Sequence, residues 1–92
     1  MLQLSRIITL NIFYMKTLEE FVALFAEQFY DTDESLFSPE TDFRELDEWS
    51  SLIGLSVIAM VDEEFDVALK AIDFRQVSTI SDLYNVVVEK LK

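Results

Sequence analysis

Two adjacent hydroxyls, Ser50 and Ser51, stand directly before the apolar run "LIGLSVIAMV", which closes in the acidic "DEEFD" of residues 62–66. They are the conspicuous chemical feature of a chain with no Cys and no His. That composition removes the thiolate nucleophile, the imidazole base and the usual ligands of a zinc site. Carboxylates remain as acid–base groups, but 92 residues supply little wall to enclose a substrate. The chain is therefore expected to be no enzyme by itself. The simplest task for serines in this position is to cap the helix that follows, by accepting a hydrogen bond from one of its free amides.

A second candidate site is "DTDES" at residues 31–35, which has the Asp-x-Asp-x-Ser opening of a calcium loop. Leu36 stands where the sharp turn needs Gly, and Asp42 where the bidentate Glu belongs. The stretch reads as a solvated acidic loop, and no metal is expected. With 18 acidic against 7 basic residues, the net charge of −11 argues against binding a phosphate backbone and for basic partners. The same charge also keeps a small apolar protein in solution.

A chain of 92 residues is one domain, and with 51% hydrophobic residues it has the means to build a core without disulfides or metals. Residues 2–14 are apolar apart from Arg6 but too short to span a bilayer, which takes about 20 residues, and no small-residue cleavage site follows. Residues 1–14 read as an N-terminal extension ahead of a single domain at 15–92, with Met15 a second possible start. No membrane association is expected, and a cytoplasmic monomer is.

The elements that must position the serines are helical. Leu18, Phe21, Val22, Phe25 and Phe29 fall on one face of a helix from Thr17 to Phe29, and Thr17 with Glu20 forms a capping-box pattern. Residues 30–49 lose the periodicity, hold eight acids against one Arg, and contain the only proline, Pro39. So long a connection is expected to cross between helices that are not antiparallel neighbours. A second helix spans Ser51–Phe65, a short one lies around 71–76, and Thr79 with Asp82 caps a last helix with Ile80, Leu83, Tyr84, Val87 and Leu91 inward. Val86, Val87 and Val88 would also suit a strand, but the 3.6-residue spacing decides for helix.

The second helix is apolar on more than one side. At about 100° per residue, Val57, Ile58, Val61 and Phe65 make the expected core face, with Leu55 at its margin. Leu52, Ile53, Ala59 and Met60, interleaved with Ser56 and Glu63, are expected on the outward side. An apolar strip rimmed by acids such as Asp62 and Glu63 is what a partner-binding helix presents, since burial supplies affinity and charge selects.

Three longer helices and one short one, a long first loop, and an acidic second helix opening at a serine resemble the acyl carrier protein family. That family's hallmark is Asp-Ser-Leu at the start of helix two. Here "SSLIGLSVIAMVDEEFDV" keeps the Ser-Leu step at Ser51 and Leu52 and the acidic finish at residues 62–65, and "VSTISDLYNVV" looks like the family's last connection and final helix. The likeness runs from about Thr17 to Leu91, and it implies an all-α, small four-helix bundle.

By this resemblance Ser51 carries a covalent 4′-phosphopantetheine arm, attached from coenzyme A by a phosphopantetheinyl transferase, with Ser50 a rival acceptor because it replaces the usual Asp. A phosphodiester there would meet the free amides and positive dipole end of the helix. The arm's thiol would replace the cysteine the chain lacks and deliver acyl thioesters to synthase enzymes with basic docking patches, in fatty-acid or specialised acyl or polyketide biosynthesis. The resemblance also implies an acyl-sheltering cavity, expected near Leu55, Ile58, Val61, Phe65, Leu69 and Val77. The alternative is a helical interaction module that kept the fold and lost the arm along with the Asp.

Overall fold

The computed structural model describes residues 16–92. The proposed extension at 1–14 and the Met15 start lie outside these. Four helices follow in order: α1 Leu18–Ala26, α2 Ser51–Phe65, α3 Ala71–Arg75 and α4 Ile80–Leu91, with single 3₁₀ turns at Glu34–Leu36 and Phe43–Glu45 in the first connection. Among the described residues there is no strand, only one isolated bridge between Asp42 and Thr79. No described helix is long and apolar enough to cross a membrane.

Local chemistry accounts for the boundaries. Thr17 Oγ1 accepts from the Glu20 amide while Glu20 Oε1 accepts from the Thr17 amide, the reciprocal box expected. The helix ends earlier than its periodicity suggests. The amides of Gln28 and Phe29 turn to the carbonyls three residues back, and the Gln28 side chain donates to Leu24 O, so a tightened turn still delivers Phe29 to the core. Thr79 and Asp82 make the same reciprocal box for α4, and the valine run is helical. α2 closes on Asp66, whose φ of 58° is left-handed.

The long connection is tied down at both ends. Its far part runs beside the start of α4, where the amides of Ile80 and Ser81 donate to Thr41 O and Pro39 O and Arg44 Nη1 donates to Val77 O. Its two ends are brought together by Glu48, whose carboxylate accepts from the amides of Tyr30 and Asp31 and from the Thr32 hydroxyl at 2.7 Å. That hydroxyl, and after it the backbone amides, hold the Glu48 carboxyl below the ordinary 4.5. Ser35 and Thr79 amides do the same for Asp33 and Asp82.

The core is unusually aromatic at the end where α2 begins. Trp49 lies flat against Phe25, with centroids 6.2 Å apart and planes 7° apart, and it also meets Phe43 at 4.8 Å and Phe74 at 5.9 Å. The ring also lies against Gly54 of α2, where a Cβ would stand at an ordinary contact distance of 3.6 Å. Trp49 thus joins α1, the long connection, α2 and α3. At the other end Phe21 meets Phe65 at 5.6 Å and Tyr84 at 5.4 Å, and Tyr84 OH donates to Lys16 O.

Trp49→Ala is expected to cost about 3 kcal/mol in urea denaturation, the low end for a large aromatic because the ring is only half-buried. Gly54→Ala should instead be neutral or stabilising by up to about 1 kcal/mol, because the new methyl meets the ring at ordinary contact distance. The lowered carboxyls give a signed pH dependence. A group whose folded pKa is depressed contributes stability above its unfolded value and loses that contribution as pH falls through the folded one. Glu48→Gln should therefore be less stable than the parent near neutral pH, and the gap should close as pH falls below 4.5.

Candidate functional site

Backbone geometry separates the two serines. Ser50 is the extended cap residue, with φ −158° and ψ 172°, and its Oγ accepts from the Ile53 amide at 3.3 Å. Ser51 is the first residue inside the helix and is exposed. Its hydroxyl has no hydrogen-bond partner among the described residues, so one serine is engaged in capping and its neighbour is presented to solvent. Among the described residues no carboxylate or amine hydrogen-bonds the Ser51 hydroxyl.

The start of α2 is also the favourable place for an anion. The Gly54 amide is bonded to Ser50 O and that of Ile53 to Ser50 Oγ. The amides of Ser51 and Leu52 have no acceptor among the described residues. The first turn holds no acid, and the helix dipole is positive at this end.

Along α2 the outward strip differs in part from the one expected. Ile53 and Met60, expected at the surface, are only 3% and 5% exposed and belong to the core with Val57, Val61 and Phe65. Leu55, expected beside an interior cavity, is 63% exposed. The reason is the rotation of the helix. Trp49 packs on the Gly54 side of α2, and in this orientation Ile53 and Val57 are buried and Leu55 is turned to solvent. Leu52, at 67% exposure, continues with Leu55 and Ala59 as the true outward strip, with Ser56 half-buried at its edge. Asp62 and Glu63 border its far end as expected, and both are exposed. Ile58 is half-buried against the core, and Val61, Phe65, Leu69 and Val77 are buried in it. The position that sequence reasoning undervalued was Trp49, and the lone glycine five residues later was the available signal.

The acids at the end of α2 are badly placed for the helix itself. Asp62, Glu63 and Glu64 sit at the negative end of the dipole, and the last turn has no basic residue. Glu64 is paired with Lys16 at 3.6 Å, whereas Asp62, Glu63 and Asp66 have no ion pair among the described residues. No group of acids there or in the first connection is arranged to hold a metal, among the described residues.

An acidic four-helix bundle whose second helix opens on an unengaged hydroxyl has the build of an acyl-carrier-type domain. Residues 19–87 match the family model described as a phosphopantetheine attachment site, and the chain belongs to that family, whose members carry 4′-phosphopantetheine covalently. No curated protein and no solved structure shows significant similarity to the chain. The residues present fit the group: an exposed hydroxyl and two adjacent amides that have no hydrogen-bond partner among the described residues, and no acid in the first turn to oppose a phosphodiester.

The division of labour between the serines predicts distinct losses. Ser50→Ala should cost about 1 kcal/mol and speed amide exchange at Ile53, while Ser50→Asp should keep the cap. Ser51→Ala should leave both quantities near those of the parent. Hydrogen exchange at Ile53 together with chemical denaturation reads all three variants.

Proposed function

We propose that this chain is an acyl carrier protein in which Ser51 bears the 4′-phosphopantetheine arm. The observation that carries the proposal is the exposed, unbonded Ser51 hydroxyl at the head of α2, inside a chain that matches the attachment-site family over residues 19–87. When attached, the arm supplies a thiol that holds acyl groups as thioesters on a long tether and raises their effective concentration at partner active sites. Ser51 Oγ is the acceptor, and a separate phosphopantetheinyl transferase would supply the base for its proton. Ser50 holds the cap, and the amides of Ser51 and Leu52 would be free to hold the phosphodiester. The chain itself is a non-catalytic carrier acting in fatty-acid or specialised acyl or polyketide biosynthesis, as a cytoplasmic monomer.

Partner synthases are expected to dock on the outward strip of α2. Leu52, Leu55 and Ala59 offer apolar area close to the attachment point, and Asp62 and Glu63 offer charge for Arg or Lys on the partner. The placement of those acids supports this reading. Unpaired acids at a helix C-terminus cost stability, and a local rule broken without structural compensation marks a functional demand.

Incubation with coenzyme A, magnesium and a broad-specificity transferase, followed by intact mass, tests the attachment. The parent and Ser50→Ala should each gain one phosphopantetheine, and Ser51→Ala none. Gain by Ser51→Ala but not by Ser50→Ala would move the acceptor to Ser50, and no gain in any chain, beside a modified control carrier, would favour an unmodified interaction module. Glu63→Lys should weaken binding to a partner synthase while raising stability by about 0.3–1 kcal/mol, a trade that a purely structural acid would not show.

A further inference from the structure

The rings beside Ser51 bear on what the arm carries. Trp49, two residues before the attachment point, contacts Phe25 of α1, Phe43 of the long connection and Phe74 of α3, and Phe43 meets Phe74 edge-on at 6.2 Å and 89°. One connected set of rings therefore joins the start of α2 to α3. The short helix α3 is also tied to α4, because Asp73, buried, caps its own helix by accepting from the Lys70 amide at 2.8 Å and pairs with Lys90 of α4 at 3.6 Å. An alkyl chain entering the core between the start of α2 and α3 would have to separate Trp49 and Phe43 from Phe74. Flat rings with few torsions do not thin out by changing rotamer as leucine or methionine side chains do, and a close-packed interior has no spare volume to lend. Outside the core, Leu52, Leu55 and Ile72 are exposed on α2 and α3.

We propose that the acyl group attached through Ser51 stays outside the helical core, which narrows the pathways proposed above to those that handle short or polar acyl groups rather than long alkyl chains. The inference rests on Ser51 bearing the arm. In this account the buried Leu69 and Val77 serve packing alone.

The test loads the parent chain with acetyl or octanoyl arms, using the matching acyl-coenzyme A, magnesium and a broad-specificity transferase. Loading joins Ser51 Oγ to the pantetheine-side phosphorus with release of adenosine 3′,5′-bisphosphate and a proton, and intact mass verifies it. The acetyl and octanoyl forms are expected to show the same Leu69 and Val77 methyl resonances, the same Trp49 emission, and rates of thioester cleavage by hydroxylamine in the ratio shown by free acetyl- and octanoyl-pantetheine. Octanoyl-specific shifts of those methyls with cleavage slowed beyond that ratio would overturn the inference. Trp49→Leu, with a flexible side chain in place of the ring, is expected to acquire octanoyl-specific shifts; if it stays as unresponsive as the parent, the rings are not the barrier and the inference fails. Absence of any mass gain on the parent would contradict the carrier reading itself and remove this inference with it, an outcome the mass alone identifies.

Discussion

The indole of Trp49 rests on Phe25, Phe43 and Phe74 and against the bare flank of Gly54, and the geometry at the head of α2 follows from that contact. In this orientation of α2, Ile53 and Val57 are buried while Leu52, Leu55 and Ala59 are exposed. The contact also sets where the helix begins, because the chain leaves the ring stack in the extended backbone of Ser50 and enters the helix at Ser51. Glu48 acts one residue earlier, closing the two ends of the long connection so that Trp49 is presented from a fixed base. A connection that would otherwise be a floppy acidic loop thereby becomes the frame of the site.

From that frame the chemistry divides between two hydroxyls of identical type. Ser50 is engaged with the Ile53 amide, whereas Ser51 is exposed and unengaged among the described residues. Ser50 caps the helix as an Asp would, without placing a negative charge beside Ser51. Charge is instead concentrated at the opposite end of α2, where the dipole disfavours it. The helix therefore differs along its length: two amides without acceptors among the described residues at one end, exposed apolar residues in the middle, and acids at the other end.

Much of this was legible from residue types alone. Capping boxes at Thr17 and Thr79, the full span Ser51–Phe65 and the helical valines of α4 follow from short-range chemistry, and short-range chemistry is what a single sequence carries well. The orientation of α2 was not legible in the same way. That helix is apolar around most of its circumference, so its pattern admits more than one phase, and the choice between Leu55 and Ile53 as the buried residue is made by tertiary packing, which hydrophobic spacing does not encode. The early end of α1 likewise depends on a tightened turn and a Gln28 side chain, neither of which hydrophobic spacing reveals. The roles of the two serines also needed backbone angles, since either hydroxyl satisfies the sequence rule for a cap.

The most direct test of the central claim uses the protein as it is made in its own cells. Trypsin cutting after Arg44 and Lys70 releases one peptide, residues 45–70, that contains Ser50, Ser51 and the whole of α2. Fragmentation mass spectrometry of that peptide should place 4′-phosphopantetheine on Ser51 and leave Ser50 unmodified. A peptide unmodified at both serines, from cells whose other carriers bear the arm, would contradict the account.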